Sequence, residues 1–93
     1  MAIKSFRCRD TEALFHGSRI RRFMPFEAAA MRKLAILHRA ATLGDLQVPP
    51  GNRLEALKGN RKGQHSIRIN GQWRLCFVWT GAGVEQVEIV DYH

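Results

Sequence analysis

The chain has 93 residues, of which 45% are hydrophobic, which is enough for one folded domain with a modest core and excludes a disordered chain. Fifteen Lys and Arg residues against eight Asp and Glu residues give a formal net charge of +7, which favours a polyanionic partner such as RNA, DNA or an acidic protein. A basic protein without such a partner is the alternative. No signal peptide or membrane-spanning apolar run is present, so we expect a cytoplasmic protein without a membrane partner.

The cysteine and acidic residues give little support for metal chemistry. Cys8 and Cys76 have no metal-ligand spacing, and no pair of histidines has it either. We therefore expect no metal site and no cofactor. A reducing cytoplasm makes free thiols the expectation, with a Cys8–Cys76 disulfide as the alternative.

The first quarter of the chain predicts a strand and a short helix. Polar and apolar residues alternate over residues 2–6, which indicates a short first strand. Asp10 or Thr11 can cap a helix over residues 11–16, and Gly17 is placed to end it.

A second helix is predicted over residues 26–42. Pro25 suits its first turn and Gly44 its end. Apolar residues recur at helical spacing along one face, which we expect to pack against a sheet. These residues are Ala30, Leu34, Leu37 and Ala41.

The second half of the chain predicts four strands. Prolines and a glycine in residues 46–51 indicate a connection. The strands are expected over residues 53–58, 64–70, 73–80 and 84–90. Helices followed by strands indicate an α+β fold, with two N-terminal helices packed on a mostly antiparallel sheet of about four to five strands.

The Asn-Gly pair at residues 70–71 is a strong hairpin signal. A two-residue turn there would mix charged and bulky side chains on both faces, whereas a three-residue loop over residues 69–71 separates them. We predict the second register because burial selects it. Its pairs are Ile67 with Trp73 and His65 with Leu75. Its polar face, expected to be exposed to solvent, carries Ser66, Arg68 and Arg74.

The basic strand face and the last three residues indicate RNA phosphodiester chemistry. When RNA supplies its own 2′-hydroxyl, cleavage needs a base, an acid and fixed cations around the phosphate. Candidate cations are Lys58, Arg68 and Arg74. Tyr92 and His93 can stack on a base or move protons, and Asp91 would favour the imidazolium form of His93.

Four segments resemble the HigB branch of the RelE/ParE-like bacterial toxins, in the same order and spacing and over essentially the whole chain. They are IKSFRC, PPGNRLEALKG, HSIRINGQWRLCFVW and VEIVDYH. The resemblance implies a RelE-like, microbial-RNase-like fold and a ribosome-dependent endoribonuclease that cleaves mRNA in the A site. It also implies a cognate HigA-like helix-turn-helix antitoxin, with DNA contacted only indirectly through the complex.

The resemblance also implies which residues form the site. The family's terminal acid, tyrosine and histidine fall on Asp91, Tyr92 and His93. Its LKG lysine falls on Lys58 and the arginine after an aromatic residue falls on Arg74, while Arg68 matches a basic strand position. We further expect RNA contacts from Arg53, Arg61, Lys62 and Ser66. Which group is acid and which is base stays open.

Two other functions compete with mRNA cleavage. One is a ParE-like toxin that inhibits gyrase and cleaves nothing, although the DYH ending and the paired arginines speak against it. The other is a basic module that binds RNA or the ribosome and blocks translation sterically.

Overall fold

The computed structural model of the chain describes residues 1–92, in which two α-helices precede a four-stranded sheet. The helices are α1 (Arg9–Phe15) and α2 (Glu27–Arg39). The strands are β1 (Glu55–Ala56), β2 (His65–Arg68), β3 (Trp73–Thr80) and β4 (Gly83–Asp91). Neighbouring strands are antiparallel in the order β1-β2-β3-β4, which confirms the predicted α+β class.

The predicted first strand is reduced to two isolated bridges. Ile3 pairs with Val84 and Phe6 pairs with Val87, both in the parallel sense, so residues 3–6 lie beside β4. The strand predicted over residues 53–58 is likewise shorter, since only Glu55–Ala56 forms a ladder with β2.

Helix α1 begins earlier than predicted and has neither of the expected caps. Its N-cap is Cys8, which forms no side-chain capping hydrogen bond. The predicted cap Thr11 is instead fully buried inside the helix, and its Oγ1 accepts a hydrogen bond of 3.0 Å from the backbone N–H of Ile89. The Thr11 hydroxyl group therefore bonds to β4 and is not available to cap the helix.

Helix α2 is shorter than the predicted 26–42 at both ends. Pro25 lies in a preceding 3₁₀ helix, Arg21–Phe26, and the helix ends when Ala40 becomes extended. A capping box between Thr42 and Asp45 then starts a new 3₁₀ turn, so Gly44 is not the helix stop. As a result Ala40 is buried, whereas Ala41, predicted on the apolar stripe, is exposed.

The β2–β3 hairpin has the predicted separation of faces but not the predicted pairs. Ile67 lies opposite Leu75, and His65 lies opposite Phe77, two residues away from the expected register. The reason is the turn, in which Asn70 Oδ1 accepts hydrogen bonds of 2.8 Å from the backbone N–H groups of Gln72 and Trp73. A shift of two residues preserves which face each side chain occupies.

The apolar face of the sheet packs against the helices and forms the core. Leu34 and Leu37 of α2 are fully buried with Ile67, Leu75 and Phe77 of the sheet. The sequence predicted that these two leucines lie on the face of α2 that packs against the sheet. The opposite face of the sheet is left for the polar side chains of β2 and β3.

No helix formed by residues 1–92 combines the length and apolar character that crossing a membrane requires.

Candidate functional site

An open pocket of about 410 Å³ lies over the polar face of the sheet, beside the β2–β3 turn. Three guanidinium groups and one carboxylate meet there. The lining residues are Arg53, Glu55, Arg68, Asn70, Gly71, Arg74 and Tyr92. A concave surface with this excess of fixed positive charge is suited to an anion.

Arg68 and Arg74 are direct cross-strand partners. Like charges in such positions destabilise a sheet, so each needs compensation from nearby acceptors. Arg68 is half-buried, and its Nε donates a 3.0 Å hydrogen bond to the carbonyl oxygen of Asn70. The pair confirms the prediction that the two arginines are close neighbours.

Arg74 is buried, with 8% of its surface exposed, whereas the sequence predicted that it faces solvent. Its Nε donates to Ser66 Oγ at 2.8 Å, and its Nη2 donates to the carbonyl oxygen of Arg53 at 2.6 Å. Its Nη1 lies 3.7 Å from Glu55 Oε1. Because a buried cation is costly unless its donors are satisfied, these contacts explain how Arg74 can sit in the floor of the pocket.

Tyr92 forms part of the pocket rim. Its ring centroid lies 5.8 Å from Cζ of Arg74, and its backbone N–H donates to the carbonyl oxygen of Gln72 at 2.7 Å. Tyr92 as a whole is 38% exposed. It therefore offers an aromatic face beside the guanidinium group, on which a nucleobase can stack.

Asp91 is held beside the pocket but is not among its lining residues. It pairs with Trp73 across β3 and β4, and its Oδ2 accepts a 3.1 Å hydrogen bond from Nε2 of Gln72. The third predicted residue of this tail, His93, lies outside the described residues.

The structure places Ser66 beneath the pocket and not among its lining residues. Ser66 is fully buried, and its Oγ accepts the hydrogen bond from Arg74. Its geometry is that of a support for the guanidinium group, although the sequence led us to expect an RNA contact.

The other predicted cations lie away from the pocket lining. Lys58 and Lys62 are exposed on either side of a short 3₁₀ turn, Gly59–Arg61. Arg61 donates 2.9 Å and 3.1 Å hydrogen bonds to Oε1 of Glu88 and of Gln64, and the Glu88 contact raises the pKa of Arg61. Of the predicted residues, the structure thus brings together Arg53, Arg68, Arg74 and Tyr92.

Glu55, Asn70 and Gly71 are pocket residues that the sequence reasoning missed. Glu55 belongs to β1 and faces Ser66 across the ladder with β2, which turns its carboxylate toward Arg74. Only the β1–β2 register reveals this contact, since nothing in the local sequence around Glu55 separates it from an ordinary exposed residue.

Both cysteines are free, as predicted. Burial raises the pKa of the Cys76 thiol, which lies on the polar face of the sheet. Among residues 1–92, no three His, Cys, Asp or Glu side chains converge as a metal site would require.

Comparison with known proteins identifies the family. The model of the family described as "RelE-like toxin of type II toxin-antitoxin system HigB" matches residues 4–93. Toxin HigB-1 of Vibrio cholerae serotype O1 is 42% identical over 90 residues, covering 95% of this chain and 94% of that protein. The chain belongs to the HigB-like toxin family. It is therefore a RelE-like toxin of a type II toxin–antitoxin system.

A solved structure supports the same fold for this HigB-like chain. The YoeB-YefM complex from Staphylococcus aureus contains a chain that superposes with a TM-score of 0.57 at 18% sequence identity. The alignment covers 100% of this chain and 99% of that chain. At this identity the likeness extends to the fold alone.

Proposed function

We propose that this HigB-like toxin is an endoribonuclease that cleaves mRNA in the A site of the translating ribosome. The observation that carries the proposal is the arrangement around Arg74, whose guanidinium group is fixed in the pocket floor between Arg68 and the carboxylate of Glu55. A phosphate, a proton acceptor and an aromatic surface can all be accommodated within this one pocket.

The arginines supply electrostatic stabilisation. Attack on phosphorus concentrates negative charge on the non-bridging oxygens, and planar guanidinium groups donate two hydrogen bonds to such oxygens. Arg74 is held by Ser66 and by the Arg53 carbonyl before any substrate arrives. Donors that need no rearrangement during the reaction stabilise the transition state most effectively.

Glu55 is placed to act as the general base. Its side chain is 54% exposed, so it is open to substrate, and a carboxylate oxygen can accept a proton from a hydroxyl group within hydrogen-bond reach. In the proposed step Glu55 takes the proton of the 2′-hydroxyl while the 2′-oxygen bonds to phosphorus. The bond from phosphorus to the 5′-oxygen breaks, and Tyr92 or His93 protonates that oxygen. The products are a 2′,3′-cyclic phosphate and a 5′-hydroxyl, and no metal is needed.

We propose that the ribosome supplies the alignment of the mRNA that this step needs. The pocket is open, and Glu55, Arg53 and Tyr92 are exposed to solvent at its edge. A reaction of this kind gains much of its rate from holding the nucleophile in line with the leaving group, and an open pocket does little of this by itself. We therefore expect the free protein to cut naked RNA poorly.

Membership of a toxin–antitoxin family, and a fold neighbour solved as a YoeB-YefM complex, support a cognate antitoxin as a partner. We propose a HigA-like helix-turn-helix antitoxin, with DNA bound only through the complex. The toxin would act in the cytoplasm, where translating ribosomes are found.

The test is to map mRNA ends in a translating extract with wild-type protein, Arg74→Ala and Glu55→Gln. We expect discrete new ends with the wild type and at least about a hundredfold fewer with either variant, since each removes a group that acts in the transition state. Glu55→Gln changes a half-exposed side chain and keeps its shape, so it guards against a folding defect in Arg74→Ala. Arg39→Ala, which removes an exposed cation of α2, is the matched control and should cleave normally.

Other outcomes would favour the competing functions. Arrest of synthesis with intact mRNA would indicate a steric blocker, and altered plasmid supercoiling would indicate a gyrase inhibitor. Efficient cleavage of naked RNA would overturn the dependence on the ribosome.

A further inference from the structure

The loop between α2 and β1 is held by one buried carboxamide. Asn52 is fully buried, and its Nδ2 donates 3.2 Å hydrogen bonds to the carbonyl oxygens of both Leu46 and Val48. Its Oδ1 accepts a 2.5 Å hydrogen bond from Nζ of Lys33 on α2. The side chain thus ties the backbone of the loop to the helix layer, on the far side of the sheet from the pocket.

Lys33 is an unusual partner for this amide. Burial lowers the pKa of its ammonium group, and the neighbouring Arg32 adds to the shift. A partly buried ammonium group that donates to a neutral oxygen forms a charge-assisted hydrogen bond, which is stronger than one between neutral groups. The contact therefore holds the Asn52 side chain against α2 at the position of Lys33.

The next residue, Arg53, connects this anchor to the pocket. Its backbone is left-handed, with φ of 46° and ψ of 57°, a conformation that a non-glycine residue adopts only when its surroundings impose it. Its N–H donates to the carbonyl oxygen of Pro50 at 3.1 Å, and its own carbonyl oxygen accepts from Arg74 at 2.6 Å. The left-handed turn is what aims that carbonyl oxygen at the guanidinium group.

We propose that Lys33 and Asn52 are positioning residues for the ribonuclease site proposed above. They hold the backbone before Arg53, so that its carbonyl oxygen stays within reach of Arg74. Loss of the Lys33 contact leaves Asn52 Oδ1 buried without a partner, which loosens the loop and weakens the hydrogen bond from Arg74 to the Arg53 carbonyl oxygen. With that contact weakened, the hydrogen bond from Arg74 Nε to Ser66 opens more often. The inference rests on the proposed function for its kinetic consequence, but its structural part can be measured by itself.

The experiment compares wild-type protein with Lys33→Met, Lys33→Arg and Arg39→Met. Lys33→Met keeps the length and apolar stem of the side chain and removes the donor. Lys33→Arg keeps a cationic donor. Arg39→Met is the control because it removes one charge from the exposed surface of the same helix.

The first measurement is hydrogen exchange of the Arg74 Nε–H, followed by nuclear magnetic resonance. In the wild type this group donates its hydrogen bond to Ser66, so we expect it to be protected from exchange. We expect Lys33→Met to exchange it about tenfold faster or more, as the loss of one buried hydrogen bond implies. Lys33→Arg and Arg39→Met should exchange it at close to the wild-type rate. Faster exchange throughout the core amides of Lys33→Met would instead show general destabilisation and overturn the proposal.

The second measurement is mRNA cleavage in a translating extract over a range of toxin concentrations. We expect Lys33→Met to lower the rate at saturation about tenfold or more while the half-saturating concentration changes less than about twofold, because preorganisation is lost and binding is retained. Lys33→Arg should recover most of the rate. A wild-type rate for Lys33→Met, or a loss equal to its unfolded fraction, would overturn the proposal.

The two measurements separate the two claims. If the wild type itself does not cleave mRNA, the proposed function fails, and the exchange of Arg74 still decides whether Lys33 positions it. If the wild type cleaves and Arg74 exchanges equally in all four proteins, the positioning role is wrong while the ribonuclease proposal stands.

Discussion

Ser66 Oγ lies 2.8 Å from Nε of Arg74, with Ser66 buried beneath the pocket and Arg74 in its floor. The hydroxyl group is the only side-chain acceptor that this Nε contacts within residues 1–92, so it sets the direction in which the guanidinium group points. A serine that the sequence led us to assign to RNA contact has the geometry of a support for an arginine. This difference can be tested kinetically.

Ser66→Ala should lower the rate of mRNA cleavage at saturating toxin by about 10- to 100-fold, because Arg74 loses the acceptor that orients it. The half-saturating concentration should change little, and stability should fall by about 1–2 kcal/mol. Saturation kinetics and chemical denaturation measure both quantities. Ser18→Ala, at an exposed serine, is the control. If Ser66→Ala instead weakened binding and kept the saturated rate, Ser66 would be an RNA contact after all.

Leu34→Ala should destabilise the fold by about 2–5 kcal/mol, since it opens a cavity at the interface of α2 and the sheet. Leu34 is fully buried in the core cluster, whereas Val48 is 71% exposed. Val48→Ala should therefore change stability by less than about 0.5 kcal/mol. The midpoint of guanidinium-induced unfolding gives both values. Similar losses in the two variants would contradict the assignment of the core.

Asp45 should make stability fall as the solution becomes acidic. Backbone hydrogen bonds from Thr42 and then Ala41 hold the pKa of its carboxylate below the ordinary value of 3.8. A group with a depressed folded pKa contributes fully above its unfolded pKa and loses the contribution as pH falls through the folded pKa. The stability difference between wild type and Asp45→Asn should thus be constant near neutral pH and shrink below about pH 4. A difference that grows on acidification would contradict this linkage.

Cys76 should resist thiol reagents while Cys8 reacts. Burial raises the pKa of the Cys76 thiol, which is fully enclosed, whereas Cys8 is half-buried. With an aromatic disulfide reagent, the variant Cys8→Ser should be labelled at least about 100-fold more slowly than Cys76→Ser, since reaction requires local opening. Both should react equally fast in denaturant. Rapid labelling of Cys76 in the folded protein would show that the polar sheet face opens readily.

Periodicity in the sequence was sufficient for the fold class and for the two faces of the sheet. Alternation over β2 and β3 assigned Ile67 and Leu75 to the core and Arg68 and Arg74 to the opposite face, as the structure confirms. That assignment survived an error of two residues in register, because a side chain's face depends only on whether its position is odd or even. Motif order further identified the toxin family, which the comparisons confirm.

Element ends and caps depended on contacts that periodicity does not report. Thr11 has the chemistry of a helix cap, but it is used by the backbone of Ile89, 78 residues away in the sequence. Gly44 has the chemistry of a helix stop, but helix α2 already ends at Arg39. The carboxylate of Asp45 then accepts hydrogen bonds from the backbone N–H groups of Ala41 and Thr42, which hold this segment outside the helix. In each case a competing hydrogen bond took precedence over the local propensity.

The sequence by itself determined that this chain is a small basic α+β domain of the HigB-like family with two arginines on one sheet face. Composition, alternation and motif order can all be read along the chain without knowing which distant residues are in contact. Only the tertiary structure decided that Arg74 is buried, that Ser66 and the Arg53 carbonyl hold it, and that Glu55 faces it. These contacts join strands and loops distant in sequence. A buried guanidinium group is stable only where folding assembles all its acceptors at once.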